Sequence, residues 1–190
     1  MTKISDGNIK LGDIPNVSMA PVRACGNCAA CARTCYALKA YRMYKNTRAA
    51  WDHNLNAART SQKAYFSDIS AYIYDKKPRF FRWHVAGDIL NQSYLNNMYA
   101  LARTYPRTKF LAFTKMFKLK YKKRPKNLTI VFSIYPSMNL PRKKWPRAWM
   151  QDGSEKRIPY NAIECGGDCE FCGKCWDLAK LKRDVYFHKH

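Results

Sequence analysis

Apolar positions recur along this chain with two periods, and the switches between them mark the elements. In RFFRWHVAGDIL, residues 79–90, Phe81, Trp83 and Val85 alternate with Phe80, Arg82 and His84. That is the period of a strand whose two faces meet different surroundings, and Gly87-Asp88 ends it. In NQSYLNNMYALARTY, residues 91–105, Tyr94, Leu95, Met98, Leu101 and Ala102 fall at helical spacing and predict an amphipathic helix closed by Pro106. KFLAFTK, 109–115, is the next strand. A strand, a helix and a strand in succession make a βαβ unit with a right-handed crossover into a parallel sheet. LTIVFSIYP, 128–136, is apolar on both faces and belongs near the centre of that sheet.

The flanks are less regular. Residues 1–24, with Pro15 and Pro21, read as an irregular or partly extended arm. From Cys35 to about Ile73 there is no proline or glycine, which predicts one long helix or two consecutive ones. Residues 116–127 are short and very basic, and residues 137–160, with four prolines counting Pro136, predict a long loop. A short strand within 157–165, a helical turn in 176–184 and a last strand at 185–190 complete the chain. The expected fold is a single α/β domain, with a βαβ-type core at 79–136 in a small or incomplete (β/α) barrel-like parallel sheet and cysteine-rich loops packed together at one end.

Composition narrows the class. With 47% hydrophobic residues and 14% aromatics the chain can build a core and is not disordered. No apolar run is long enough to span a membrane, and MTKISDGNIKLGDIP lacks a secretory core, so a cytoplasmic setting is expected. The formal charge is +22, from 35 Lys and Arg against 13 Asp and Glu. Such a balance attracts polyanions, so nucleic acid or an acidic redox partner protein is the expected company. Within the 137–160 loop, Trp145 and Trp149 stand among Arg142, Lys143, Lys144 and Arg147, a pattern in which rings stack on bases while cations hold phosphates. The same tryptophans would equally serve to cap the core.

The chemistry is concentrated in cysteine. CGNCAACARTC, residues 25–35, places Cys25, Cys28, Cys31 and Cys35 in C-x2-C-x2-C-x3-C spacing, and CGGDCEFCGKC, residues 165–175, places Cys165, Cys169, Cys172 and Cys175. These are all eight cysteines in the chain. A mononuclear zinc site takes two short pairs separated by a longer spacer. Four thiols with two or three residues between neighbours instead suit a chain wrapped around a cuboidal cluster, as in bacterial ferredoxins. Two 4Fe-4S clusters are therefore expected, with zinc as the alternative, and the assignment of sulfurs to clusters open. Tyr36 stands where the ferredoxin run has proline, so a helix can follow directly.

Parallel sheets gather ligands at the carboxyl ends of their strands. There the sequence offers His84, Asp88, Asn91, Thr114, Lys115 and Ser133, with Tyr135. Asp88 is expected to cap the helix that begins near Asn91. His84 is expected to point with Phe80 and Arg82, as a hydrogen-bonded interior histidine or a general acid–base. His53, His188 and His190 read as ordinary polar residues.

Taken jointly and in order, CGNCAACARTCYA, RFFRWHVAGDI, KFLAFTK, VFSIYP, CGGDCEFCGKCW and VYFHKH resemble a phage family called gene product eighty-eight. That resemblance implies iron–sulfur binding in a phage or host-cytoplasm setting, and no particular activity. A shorter likeness links Cys165, Cys169, Cys172 and Phe171 to the C-x3-C-x-aromatic-C pattern of radical S-adenosylmethionine enzymes. It implies a partial (β/α) barrel and S-adenosylmethionine as a cosubstrate. Such enzymes leave one iron without a protein ligand and carry their motif after the first barrel strand, whereas Cys175 offers a fourth ligand late in the chain. The sequence thus points to an iron–sulfur protein for electron transfer, redox sensing or structural support. The radical enzyme and a zinc-stabilised nucleic-acid-binding module are its rivals.

Overall fold

The computed structural model describes residues 1–190 apart from 27, 29, 30, 33, 34, 143, 144, 189 and 190. Its frame is an eight-stranded sheet. The strands are β1 (Ile4–Ser5), β2 (Asn16–Val17), β3 (Phe80–Trp83), β4 (Lys109–Thr114), β5 (Leu128–Ile134), β6 (Arg147–Gln151), β7 (Ile163–Glu164) and β8 (Val185–His188). They lie in the order β1-β2-β3-β4-β5-β6-β8-β7, and every pairing is parallel except β1 with β2. The edge strands β1 and β7 are two residues long, which leaves little unpaired backbone for another chain to join.

Neighbouring strands follow one another in sequence from β2 to β6, so crossovers of one hand place their connections on one face. That face carries Phe81, Trp83, Phe110, Ala112, Ile130, Phe132 and Trp149, packed against Leu55, Tyr65, Phe66, Ile69, Tyr94 and Met98 of the helices. β5 is buried at all seven positions, as its two-sided apolar pattern requires.

Three helices fill the stretch after the first cysteine run: α1 (Tyr36–Met43), α2 (Lys45–Thr60) and α3 (Gln62–Lys76). The breaks come at Tyr44, which is extended, and at Ser61, whose hydroxyl accepts from Ala64 N–H and caps α3. Neither break carries proline or glycine, which is why one long helix or two were expected there. α3 stops at Lys77 in a left-handed conformation, just before Pro78. α4 (Gln92–Thr104) matches its periodicity, but its cap is the Asn91 side chain, which accepts from Tyr94 N–H at 2.9 Å. Asp88, expected as that cap, is engaged elsewhere.

Two further expectations change. The 137–160 segment contains β6, a five-residue strand between Pro146 and Gly153 that is too short and too proline-flanked to show as a period. The N-terminal arm contributes β1 and β2 to the sheet, so the first parallel strand precedes the first cysteine run.

Candidate functional site

The second cysteine run is folded over the sheet face opposite the helices. Its backbone is tied at Cys165, whose N–H donates to Tyr186 O at 2.8 Å, and at Cys169, whose N–H donates to Lys10 O at 2.9 Å. A one-turn helix, α5 (Cys169–Cys172), ends at Gly173 in the left-handed region, and a 3-10 helix, Lys174–Asp177, follows. Trp176 anchors this lobe: its indole N–H donates to Phe81 O and its carbonyl accepts from the Thr129 hydroxyl at 2.6 Å. Beside it the Lys109 ammonium pairs with Asp177 at 2.7 Å. Cys165, Cys169 and Cys175 thereby pack against Leu111, Phe113, Val131 and Phe80. All four cysteines of the run line one cavity of about 270 Å³ with Gly166, Gly167, Gly173, Trp176 and Val185. A turn before β2 closes the lobe, where Asp13 N–H donates to Glu170. Gly12 sits there with φ +61, and a Cβ on it would lie 1.8 Å from Glu170 Oε2.

The first run lies elsewhere. It follows β2 and meets the carboxyl ends of β3 and β4: Met19 N–H donates to Ala86 O, and a Cβ on Gly26 would come within 2.5 Å of Met116 Sδ. The second run reaches the amino ends of β4 and β5 through Asp177 and Trp176. The expectation that both runs pack at one end of the sheet is corrected accordingly. Burial pushes the Cys25 and Cys175 thiols up to about 12 each, and burial also raises Cys28 and Cys169. Without a bound cation these sulfurs hold their protons. Among the described residues, no three Cys, His, Asp or Glu side chains converge closely enough to hold a single metal ion.

Each run has its own cation. Arg82, on the face opposite the helices, is desolvated by burial, which lowers its pKa, and it feels the charges of Tyr36, Cys175, Cys169 and Cys165. Its guanidinium stacks on Phe113 and donates a hydrogen bond to Trp83 O. Lys115 is also pulled down by burial, but the charges of Cys31, Tyr135, Asp88 and Cys25 outweigh that and hold its pKa above the ordinary lysine value. Neither cation meets a carboxylate in a salt bridge among the described residues. Between them reaches the Tyr36 hydroxyl, which donates to Val85 O and senses Arg82, Lys115, Cys35 and Cys25.

Of the remaining strand-end residues, Asp88, Ser133 and His84 are buried. Asp88 is 4% exposed and accepts from the Thr114 hydroxyl at 2.5 Å, Lys115 N–H at 2.9 Å and Ile89 N–H at 2.7 Å, joining the turn after β3 to the end of β4. Ser133 is buried on β5. His84 does not point with Phe80 and Arg82. Its φ of 53 turns it out of the strand alternation, and its Nε2 meets Tyr94 Oη at 3.0 Å beside Trp83. Burial, reinforced by Arg82, pushes its pKa down to about 3, so it is a neutral interior group. Its Nδ1 is buried with no partner among the described residues.

The tryptophans of the basic segment face inward. Trp149 is fully buried and its indole N–H donates to Asp184 at 2.8 Å. Trp145 is half-buried against Tyr121 and Phe132, beneath the Arg124 guanidinium. Arg147 lies over Trp149, and Arg142 alone of the described cations in that group is exposed. Lys143, Lys144 and His190 lie outside the described residues. Trp149 therefore packs the core, and Trp145 leans on it with part of its ring still exposed.

Tyr36 and Arg82 were not among the site residues expected from sequence. Arg82 carried a signal, as a cation in a strand between Phe81 and Trp83, where something anionic has to stand near it.

A family model described as Gene product 88 matches residues 2–178. The chain belongs to this phage gene-product family. No curated protein and no solved structure matches it. Nor is any described helix of this family member long and apolar enough to cross a membrane.

Proposed function

We propose that this family member is an iron–sulfur protein with two separate cluster sites, one closed by Cys25, Cys28, Cys31 and Cys35 and the other by Cys165, Cys169, Cys172 and Cys175. The observation that carries the reading is the second run: four thiols around one cavity, lined by glycines. One zinc ion needs its ligands drawn to about 2.3 Å from a single centre, whereas a four-iron cluster presents its irons to thiolates spread around its corners. Sequential parallel strands, of the kind found in an incomplete (β/α) barrel, hold the two runs on different parts of the sheet, so neither has to lend its fourth cysteine to the other. When bound, the clusters would supply one-electron chemistry or structural support. The chain's own part is to hold them and set their surroundings, and its positive surface would take a polyanionic partner.

Anaerobically purified protein is expected to be brown, with about eight irons and eight acid-labile sulfides per chain and two EPR species on reduction. Colourless protein with stoichiometric zinc would overturn the reading in favour of the zinc module.

One observation favours a second reading. The first run follows the first parallel strand and meets the carboxyl ends of the next, beside Lys115, which is where radical S-adenosylmethionine enzymes carry their cluster. Cys35 as a fourth ligand counts against it. S-adenosylmethionine added to reduced protein decides: an altered EPR spectrum and 5′-deoxyadenosine would establish the enzyme, and an unchanged spectrum would remove it.

A further inference from the structure

We propose that a ridge of lysines pinned along α4 is a docking surface for the phosphodiester backbone of double-stranded nucleic acid, read without regard to base sequence. The inference deepens the polyanion part of the function proposed above and is independent of the sulfur sites.

The sequence holds no Asp or Glu between Asp88 and Asp152, a stretch that carries 14 Lys and Arg. Its middle, the connection from β4 to β5, alternates. Phe117, Leu119 and Tyr121 turn inward, with Phe117 4.9 Å and Tyr121 5.4 Å from the Phe132 ring, while Lys118, Lys120 and Lys122 are exposed, followed by exposed Lys123 and Lys126. The alternation delivers the charges to one side.

The ridge is also held in place. The Gln92 side chain of α4 bonds both backbone groups of Lys120, at 2.8 and 3.2 Å. At the other end of α4 Arg103 donates to Lys123 O at 2.8 Å. Asn127 then donates to Ala102 O, Tyr105 O and Thr108 O. A connection clamped at three points needs little ordering when it binds. Among the described residues no salt bridge reaches any of the five lysines, nor Arg103 or Arg107, so no carboxylate there offsets their mutual repulsion by direct pairing.

Surface composition selects the partner. No large hydrophobic residue from 89 to 139 is exposed among the described residues. A protein interface relies on a desolvated apolar or aromatic anchor, and single-stranded nucleic acid relies on rings for its bases. A duplex backbone requires neither, only spaced cations.

The test uses the full chain and a labelled duplex of about 20 base pairs and mixed sequence, titrated by fluorescence anisotropy from about 50 to about 300 mM salt. Neutralising the ridge (Lys118→Gln, Lys120→Gln, Lys122→Gln, Lys123→Gln) is expected to lower the slope of log K against log salt by about 3 to 4, roughly 0.9 for each lost phosphate contact. An equal neutralisation of exposed charge on α1 and α2 (Lys39→Gln, Arg42→Gln, Lys45→Gln, Arg48→Gln) is expected to leave the slope nearly unchanged. Equal losses in the two variants would overturn the assignment while leaving polyanion binding intact. Single strands bound more than about tenfold tighter than duplex would overturn the choice of ligand. A wild-type chain that binds no duplex even at the lowest salt would remove the polyanion reading itself.

Discussion

The guanidinium of Arg82 lies 4.1 Å from the centre of the Phe113 ring, beside the sulfur-lined lobe, and no carboxylate among the described residues forms a salt bridge with it. The ammonium of Lys115 stands likewise, 4.9 Å from the ring of Tyr135 and beside the first cysteine run. Stacking fixes each cation, and each faces one set of sulfurs. The sulfurs whose charge Arg82 feels, Cys165, Cys169 and Cys175, belong to the second run, and those beside Lys115, Cys25 and Cys31, to the first.

Two cations with separate sulfur neighbours predict two independently tuned sites. A positive charge about 10 Å from a cluster favours the reduced form by on the order of 1–2 kcal/mol at an effective dielectric of about 20, which is tens of millivolts. Arg82→Met is expected to lower the midpoint potential of one EPR species and leave the other in place, and Lys115→Met to do the reverse. Potentiometric titration of each variant checks this. Two species that always shift together would show that the runs share their cysteines.

Asp88 predicts a stability effect. It accepts three hydrogen bonds from Thr114, Lys115 and Ile89 while almost wholly buried. Asp88→Ala removes the acceptor of two backbone N–H groups and of the Thr114 hydroxyl, and is expected to cost about 3 kcal/mol or more. A fall in the urea midpoint with an unchanged slope is the expected result.

Much of the fold was legible and part of the site was not, for separable reasons. α4, β4 and β5 carry unbroken periods and came out within a residue or two of their ends. β6 did not, because Arg147 to Gln151 gains its strand identity from pairing with β5 and β8 and not from any local pattern. The cysteines were legible because spacing alone marks them, yet their placement required β2, a two-residue strand that no window can detect. His84 was misplaced for a backbone reason: a left-handed residue at the strand end moves a side chain to the other face, and nothing but glycine or asparagine advertises that in sequence. Trp149 was ambiguous because basic neighbours suit either a nucleic-acid surface or a capped core, and only Asp184, distant in sequence, decides.

The histidine predicts a pH dependence whose sign follows from its depressed pKa. Folded His84 stays neutral down to about 3, while in the unfolded chain it takes a proton near 6.5. Between those values the unfolded state binds the extra proton, so the stability His84 permits at neutral pH is lost as the pH falls, by up to about 1.4 kcal/mol per unit. His84→Asn keeps a residue that tolerates φ of 53 and removes the titration. The wild-type urea midpoint is expected to drop more steeply than the variant's between about pH 7 and 5. Parallel curves would show that the histidine does not contribute.

Gly12 predicts a link between the N-terminal turn and the second cysteine lobe. Its left-handed φ and the 1.8 Å approach of Glu170 leave no room for a methyl group. Gly12→Ala is expected to cost about 1 kcal/mol in backbone strain and to displace Glu170 from Asp13 N–H, one residue from Cys169. The expected readout is faster loss of one EPR species on exposure to air, with the other unaffected.

Trp149 separates the core from the charged surface. Its indole fills the space under β6 and donates to Asp184, which also accepts from Arg147 N–H at 2.9 Å. Trp149→Phe removes one of the two hydrogen bonds described to that carboxylate and part of the packed volume, so a loss of about 1–3 kcal/mol in stability is expected. If the indole served a nucleic acid instead, the same substitution would weaken binding by about 1–3 kcal/mol per stacked base and leave the melting temperature in place. Measuring both quantities on one variant distinguishes the roles, because a buried ring alters the first and cannot reach a ligand to alter the second. A lowered melting temperature with an unchanged salt-dependent affinity is the outcome the packing requires.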